Sequence, residues 1–252
     1  MQYKYEKEIQ DYSDLSSGRV FYSIPGHPAF PVRLASEIFQ RCLASRKAIY
    51  GNSDPCTLYD PCCGTAYHLS VLGILQGSRI REIIASDIDE KAVNLAQRNL
   101  ELLTLAGLDR RIDEINTMIN QYNKDSHKEA LKSAILLKNK ITTLDQKHPL
   151  RTKAFQSSAI DKQTILNNLD AHAVDIVFTD VPYGQHSQWH SLNSEELSNP
   201  LWSMLDALTE ILSPSGIVAI TSDKKQKVSH DRYQRLEKFQ VGKRQVVILK
   251  PA

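Results

Sequence analysis

Short apolar segments alternate along this chain with stretches in which apolar residues recur at helical spacing. The most apolar segment is Val174–Thr179, and weaker segments lie at 57–60, 82–86, 153–156 and 217–221. A regular alternation of strands and helices is typical of a parallel sheet that is covered by helices on both faces. The pattern therefore predicts an α/β fold of the doubly wound type.

The helical stretches fall before and between these strands. Pro31 suits the first position of the first helix, and Asp89 is placed to cap the third. In the first helix Arg33, Glu37 and Arg41 lie away from the apolar stripe and are expected at the surface. Gly77 and Pro214-Ser215-Gly216 stand where helices are expected to stop. The predicted helices cover 31–44, the region up to Gln76, 90–106, 161–169 and 195–212.

Two regions depart from this rhythm. Residues 107–150 have a helical pattern and mixed charge but no segment typical of a strand, so we interpret them as a helical insertion. The chain ends in a predicted antiparallel hairpin with arms at 236–241 and 244–250. We expect a single domain over 1–252, with 1–50 forming an N-terminal extension and helix.

Composition restricts the class of protein. With 252 residues, 41% of them hydrophobic and 24% charged, the chain is long enough for one large core. No apolar run approaches the roughly 18 residues of a membrane span, and the first thirty residues lack the apolar centre of a signal peptide. We therefore expect a cytoplasmic protein without a membrane partner. Its four cysteines lack zinc-ligand spacing, so we expect reduced thiols and no metal.

Positive charge is concentrated near the C-terminus. The formal net charge is only +2, but residues 222–250 contain nine Lys or Arg and three acidic residues. Such a concentration is typical of a surface that binds phosphates. Lysines also protect solvent-exposed edge strands from aggregation, and composition alone does not separate the two interpretations.

A glycine-containing turn follows the first strand. Asp60 ends this strand, Gly64 lies in the turn, and Asp87 ends the second strand. In doubly wound folds ligands bind at this edge of the sheet, where an acidic residue can hold the hydroxyl groups of a ribose. The dinucleotide and phosphate-loop fingerprints are absent, which favours a nucleoside without a pyrophosphate, such as S-adenosylmethionine. A turn of this kind also occurs in proteins that bind no nucleoside.

A second turn, Asp180-Val181-Pro182-Tyr183, follows the most apolar strand and is expected at the same edge. A ring or exocyclic nitrogen of a base is a poor nucleophile and needs an acceptor to orient it or remove its proton. Asp180 and the Val181 carbonyl are candidate acceptors, Pro182 stiffens the turn, and Tyr183 can stack on a base. The same residues also suit an ordinary β-turn.

Three blocks of sequence resemble the AviRa family of ribosomal RNA methyltransferases, which belongs to the class I methyltransferases. The most specific block is 26–41, Gly-His-Pro-Ala-Phe-Pro-Val-Arg-Leu-Ala-Ser-Glu-Ile-Phe-Gln-Arg. The second is 59–73 around the cofactor turn, and the third is 180–184 with the later Trp189. The likeness extends to the basic segments 221–227 and 242–244 and so covers nearly the whole chain.

This resemblance implies a Rossmann-like, mostly parallel seven-stranded sheet, S-adenosylmethionine as methyl donor, and a guanine of 23S ribosomal RNA or the large ribosomal subunit as substrate. It is also consistent with a role in antibiotic resistance. By position, the resemblance implies catalytic residues Asp180, Val181, Pro182 and Tyr183. It implies cofactor-binding residues Asp60, Cys62, Gly64, Thr65, Asp87, Ile88, Ser158 and Ala159. RNA-binding candidates are Arg33, Lys224, Lys225, Lys227, Lys243 and Arg244.

Two positions depart from the family pattern. Ala66 stands where the cofactor turn usually has a second glycine. An acidic residue that often follows the third strand, near the cofactor's adenine, is missing from Gln156-Ser157-Ser158-Ala159-Ile160. Ser158, a backbone amide or Asp161 could replace it.

The turn at 180–183 does not by itself choose the acceptor. Related turns occur in enzymes that methylate protein glutamine or the amino groups of DNA adenine and cytosine. A third alternative is an RNA-binding module that keeps a methyltransferase scaffold without catalysis. The block at 26–41 favours the ribosomal RNA enzyme.

Overall fold

The computed structural model describes residues 3–25, 29–145, 150–181 and 199–252 of the chain. They contain one seven-stranded sheet. Its strands are β1 (Cys56–Asp60), β2 (Ile80–Asp87), β3 (Arg151–Gln156), β4 (Val174–Asp180), β5 (Leu212–Asp223), β6 (Tyr233–Val241) and β7 (Arg244–Pro251). The predicted seven-stranded α/β sheet is confirmed.

The strand order is β3-β2-β1-β4-β5-β7-β6. All neighbouring strands from β3 to β5 run parallel, whereas β7 is antiparallel to both β5 and β6. The predicted C-terminal hairpin is therefore the β6–β7 pair. Because five strands are parallel, their carboxyl ends share one edge of the sheet, here called the rim.

Seven α-helices accompany the sheet in the described part of the chain. They are α1 (Val32–Tyr50), α2 (Tyr67–Gln76), α3 (Glu90–Glu101), α4 (Leu105–Tyr122), α5 (Asp125–Asp145), α6 (Lys162–Asn168) and α7 (Pro200–Leu208). Helices α4 and α5 pack against each other and form the helical segment expected within 107–150. The assignment of the chain to a single domain stays a prediction.

The predicted helix at 90–106 is wrong at its end, because the chain turns between α3 and α4. The hydroxyl of Thr104 accepts a hydrogen bond from the Gly107 amide and so caps α4. A Cβ atom at Gly107 would lie 1.9 Å from the Glu101 carbonyl oxygen. Only glycine permits this close approach of backbone to backbone.

The predicted stop at 214–216 is also wrong, since these residues lie inside β5. Helix α7 begins at Pro200 and ends at Leu208, and β5 begins at Leu212. The pairing of β4 with β5 is irregular between Val174 and Ile176, which accommodates the proline and glycine. Residues 195–198 of the predicted helix lie outside the described residues.

Helix α1 buries a charged pair that the helical pattern had placed towards solvent. Glu37 is fully buried and Arg41 nearly so. The Glu37 carboxylate accepts hydrogen bonds from three backbone amides of residues 4–6 and from Arg41. The N-terminal segment covers this face of α1. The hydrophobic periodicity of the helix does not reveal this contact, because the covering segment lies elsewhere in the sequence.

The core is divided by the sheet into two clusters. One contains α1 to α5, with Phe39 and Phe178 among its fully buried side chains. The other lies under α6 and α7 and includes Tyr59 and Met204. Burial on both faces explains the continuous apolar sequence of β4.

At the end of the strands opposite the rim, Asp175 is the centre of a buried polar cluster. Its carboxylate accepts hydrogen bonds from Arg46, the Thr57 amide, Ser213 and Arg81, at 2.8 to 3.2 Å. Arg46 is nearly fully buried. The cluster joins α1, β1, β4 and β5 and thereby fixes the strands that carry the rim.

Candidate active site

Three carboxylates meet at the rim, at the ends of three parallel strands. Asp60 ends β1, Asp87 ends β2 and Asp180 ends β4. Both Asp87 and Asp180 raise the pKa of Asp60, which places the three groups within electrostatic reach of one another. The rim therefore concentrates acidic groups, whose ionised forms favour a ligand with positive charge.

The turn after β1 is held by backbone hydrogen bonds. The Cys62 amide donates to Oδ1 of Asp60, the Cys63 amide donates to the Ser86 carbonyl, and the Gly64 amide donates to Oδ2 of Asp87, all at 2.8 to 2.9 Å. These bonds tie the turn to the ends of both β1 and β2. The candidate cofactor turn is thus a rigid surface.

Gly64 provides open space in this turn. Its φ is +53°, and a Cβ atom built on it would have no protein atom within 4 Å. A ligand can therefore approach the backbone here, which is the use of glycine in nucleoside-binding turns. The Thr65 carbonyl, next in the chain, accepts a hydrogen bond from Asn99.

Ala66, the departure from the family pattern, adopts the same left-handed conformation as a glycine would. Its φ is +52°, and it precedes the first residue of α2. The residue is fully buried, and its amide donates to the Cys63 carbonyl. The alanine keeps the turn geometry at a conformational cost of roughly 1 kcal/mol.

Asp60 is fully buried, and burial raises its pKa to about 8 against the opposing effects of Thr179 and the Cys62 amide. Its second carboxylate oxygen, Oδ2, lies 3.3 Å from Nε2 of His68 in α2. His68 was not anticipated from the sequence, because no motif marks it.

Asp87 is partly exposed and its carboxylate faces the turn. Oδ2 accepts from Gly64 and Oδ1 accepts from the Asp89 amide at 3.0 Å. Burial raises its pKa more strongly than these bonds lower it. A carboxylate oxygen has two lone pairs, so each oxygen can still accept a second hydrogen bond. This is the capacity that binding of two ribose hydroxyls requires.

The expected adenine region lies beside the ends of β2 and β3. The Ile88 side chain is 42% exposed, and its carbonyl accepts a hydrogen bond from Gln156. The Ser157 amide donates to the Asp87 carbonyl, which brings the turn with Ser158 and the buried Ala159 next to Asp87. An exposed isoleucine next to this turn is suited to contact with a flat aromatic ring.

Asp161, one of the candidate replacements for the missing acid, has another role. Its two carboxylate oxygens accept hydrogen bonds from the amide and the hydroxyl of Thr164, at 3.0 and 2.7 Å. Asp161 therefore caps helix α6. Ser158 and the backbone amides of its turn are left as candidates near the adenine.

Asp180 has the features of a proton acceptor. Burial raises its pKa to about 7, and Arg244 opposes this rise through an ion pair of 3.7 Å with Oδ2. Its other oxygen, Oδ1, is buried and has no hydrogen-bond partner among the described residues. A buried oxygen without a partner at the rim is suited to a ligand.

The rest of the candidate catalytic turn is described only in part. Val181 is fully buried, and its amide donates to the Thr221 carbonyl at 3.0 Å, which continues the pairing of β4 with β5. Pro182 and Tyr183 lie outside the described residues, as do Gly184 and Trp189. Their proposed roles stay predictions.

The basic candidates occupy two neighbouring turns. Lys224, Lys225 and Lys227 are exposed after the end of β5, and Lys243 is exposed between β6 and β7. The pairing of Asp223 with Arg244 brings the two turns together at the rim. The sequence does not reveal this juxtaposition, because it depends on the order of the strands.

Arg33 is placed differently from the other basic candidates. Its guanidinium donates to the carbonyls of Glu6 and Lys7 and lies 4.1 Å from the centre of the Tyr3 ring. It therefore holds the N-terminal segment on α1. The described structure gives it no position beside the two basic turns.

Among the described residues, no helix combines the length and the apolar composition needed to cross a membrane. Within the same residues, no group of three or more His, Cys, Asp or Glu side chains has the geometry of a metal site.

Comparison with known proteins gives consistent matches over the whole chain. A family model described as rRNA methyltransferase AviRa matches residues 1–244. The 23S rRNA (guanine(2535)-N(1))-methyltransferase of Streptomyces viridochromogenes is 36% identical over 250 residues, which are 99% of this chain and 96% of the relative.

Solved structures agree with this match. The rRNA methyltransferase AviRa from Streptomyces viridochromogenes superimposes with a TM-score of 0.85 at 35% identity, covering 99% of this chain and 96% of that chain. TrmN from Thermus thermophilus, at 14% identity, has a TM-score of 0.50 and covers 90% of this chain and 50% of its own. The second match concerns the fold alone. The chain belongs to the AviRa family of rRNA methyltransferases.

Proposed function

We propose that this protein transfers a methyl group from S-adenosylmethionine to N1 of a guanine in 23S rRNA. The relative with 36% identity is named for that reaction. The observation that carries the proposal is the position of Asp180, whose Oδ1 is buried at the rim without a hydrogen-bond partner in the described structure. Because the substrate is ribosomal RNA, the reaction would take place in the cytoplasm.

The residues at the rim fit S-adenosylmethionine. Asp87 can accept hydrogen bonds from the ribose, and Gly64 leaves space for a close approach to the backbone. The exposed Ile88, with Ser158 and Ala159, can border the adenine. The acidic groups of Asp60 and Asp87 favour a cofactor that carries a sulfonium and an ammonium group.

The chemistry assigned to Asp180 follows from the acceptor atom. N1 of guanine carries a hydrogen, so its electron pair becomes available only when this proton leaves. The cofactor supplies an electrophilic methyl group. Oδ1 of Asp180 would take the N1 proton as the new bond to carbon forms, and a pKa near 7 matches this task at neutral pH.

The RNA has to present an unstacked base to this site, because a base within a helix cannot reach the methyl group. The turns that carry Lys224, Lys225, Lys227 and Lys243, with Arg244 beside Asp180, would contact phosphates on both sides of that base. Tyr183 remains the predicted stacking residue of the catalytic turn, in which Pro182 stiffens the backbone and the Val181 carbonyl is a second candidate acceptor.

The most direct test of the substrate offers several acceptors in parallel. Purified protein and radiolabelled S-adenosylmethionine are incubated separately with isolated 23S rRNA, large ribosomal subunits lacking the modification, DNA and ribosomal proteins. We expect label in 23S rRNA, in isolated form or in the subunit, as N1-methylguanine after nuclease digestion. Label that appears only in protein or only in DNA contradicts the proposal.

Replacement of Lys224, Lys225 and Lys243 by glutamine is expected to weaken RNA binding without changing the fold. Each lost phosphate contact lowers the slope of log Kd against log salt concentration by about 0.7–0.9. The triple variant should therefore have a slope lower by about 2 to 3. Fluorescence anisotropy with a labelled rRNA fragment at several salt concentrations measures this slope.

A matched control removes the same charge elsewhere. Lys47, Lys140 and Lys153 are exposed and lie away from the rim. Their replacement by glutamine should change the salt slope little. Equal slopes for the two triple variants would mean that the basic turns do not bind the RNA.

A further inference from the structure

The pair formed by Asp60 and His68 is unusually enclosed. Asp60 is fully buried, and His68 is only 5% exposed. The imidazole lies against two phenylalanine rings, with centroid distances of 4.9 Å to Phe178 and 5.6 Å to Phe30. Water therefore has little access to either group, and hydrogen bonds between the two matter more than at a surface.

One polar atom of each residue, Oδ1 of Asp60 and Nδ1 of His68, is assigned a contact with the backbone. Oδ1 of Asp60 accepts from the Cys62 amide at 2.9 Å. The backbone of Phe178 raises the pKa of His68, which is the effect of a carbonyl acceptor close to the ring, and because Nε2 has no hydrogen bond we assign this contact to Nδ1. A ring nitrogen bonded to a carbonyl carries a hydrogen, so Nε2 is free to accept one.

The two inner atoms face each other. Oδ2 of Asp60 and Nε2 of His68 lie 3.3 Å apart, and neither atom has a hydrogen bond of normal geometry among the described residues. The hydroxyl of Thr179, which is also buried without a partner, is a further polar group beside Asp60 and lowers its pKa. Without a proton between them, a lone pair on the oxygen and a lone pair on the nitrogen would repel each other in a buried site. With one proton, both atoms are satisfied.

Burial alone places this proton on the carboxyl group in the protein without ligand. It raises the pKa of Asp60 to about 8 and lowers the pKa of His68 to about 4. A neutral carboxylic acid beside a neutral imidazole avoids two buried charges. The other ionisable groups around the pair are Asp87 on β2, Asp180 on β4, Arg244 on β7, and Cys62 and Cys63 in the turn.

We propose that Asp60 and His68 share a single proton, which lies on Asp60 in the cofactor-free protein and moves to His68 when the cationic cofactor binds. This inference rests on the proposed use of S-adenosylmethionine at the rim. The bond from the proton to Oδ2 breaks, and a bond to Nε2 forms. No proton enters or leaves the site, and Asp60 becomes a carboxylate beneath the turn that carries Gly64.

His68 is thereby a positioning residue that acts through Asp60. In the native protein this proton stays inside the site, so the pair adds no pH dependence to cofactor affinity, and the dependence contributed by Asp87 and Asp180 is common to the native protein and to variants of His68. Without the imidazole, the proton of Asp60 has to leave for the solvent. Affinity should then fall about tenfold for each unit of pH below the pKa of Asp60.

Calorimetry tests this difference in the variants His68→Asn and His68→Gln. Binding of S-adenosylmethionine at pH 6.5 is measured in two buffers with different ionisation enthalpies. We expect each variant to release about one proton more than the native protein, because the release from Asp87 and Asp180 is common to all three proteins. The two variants differ in size, so a packing defect in one does not decide the result. Equal proton release by the native protein and both variants overturns the proposal.

The native protein also provides a test without substitution. Nitrogen-15 NMR of the His68 ring at pH 7 should show an unprotonated Nε2 without ligand and two protonated nitrogens with S-adenosylmethionine. S-adenosylhomocysteine, which lacks the sulfonium charge, should leave the ring neutral. A ring that stays neutral with bound S-adenosylmethionine overturns the transfer alone. If the native protein does not bind S-adenosylmethionine, the proposed cofactor is overturned together with the transfer.

Discussion

Replacement of Asp180 by asparagine is expected to lower the rate of methyl transfer by about 10²- to 10⁴-fold, the range attributed to general bases. Asparagine keeps an oxygen that can orient the base but cannot take its proton. The variant should bind S-adenosylmethionine nearly as the native protein does. Single-turnover transfer to the rRNA substrate, with calorimetry of cofactor binding, measures both quantities.

The pH dependence of the same reaction tests the role of Asp180 as a base. Since burial raises its pKa to about 7, the carboxylate is lost as the pH falls through that value. The rate should rise about tenfold per unit below pH 7 and level off above it. Asp170→Asn, the same change at an exposed position before β4, should leave the profile intact. Full activity of Asp180→Asn would rule out a catalytic role for this carboxylate.

Replacement of Asp175 by alanine should have the largest effect on stability. Removal of one partner from a buried ion pair costs about 3–5 kcal/mol, because the other charge stays buried. Here the guanidinium of Arg46, whose side chain is 3% exposed, would lose its 2.8 Å partner. The amide of Thr57 would also lose its acceptor. Urea denaturation, followed by circular dichroism, gives the free energy of unfolding.

Arg81 provides the matched control for this prediction. It binds the same carboxylate at 3.2 Å, but its side chain is 49% exposed. Exposed ion pairs contribute about 0–1 kcal/mol, so Arg81→Met should change the free energy of unfolding by no more than that. Similar losses for Asp175→Ala and Arg81→Met would show that burial of the cluster does not determine its contribution.

The sequence predicted the order of strands and helices because burial on both faces makes the central strands continuously apolar. It failed where tertiary contacts decide the local structure. Gly107, in the first turn of α4, packs against the carbonyl of Glu101 at the end of α3. Residues 214–216 lie within β5, where the neighbouring Ser213 donates a hydrogen bond to Asp175. Glu37 was expected at the surface, but backbone amides of residues 4–6 bind its carboxylate and bury it. The periodicity of α1 does not predict this contact.

The candidate site was predictable to a similar extent. Asp60, Asp87 and Asp180 each end a strand, and the ends of parallel strands meet at one edge. The partnership of Asp60 with His68 was not predictable, since it depends on the angle at which α2 leaves the turn. The proximity of Arg244 to Asp180 depends on the insertion of β7 between β5 and β6.

The central claim is that this protein methylates N1 of a guanine in 23S rRNA with Asp180 as the base. It is tested most directly by mass spectrometry of 23S rRNA fragments from cells that lack the gene and express either the native protein or Asp180→Asn. We predict one N1-methylguanine with the native protein and none above background with the variant. Identical modification in both strains, or methylation at another atom, would contradict the claim.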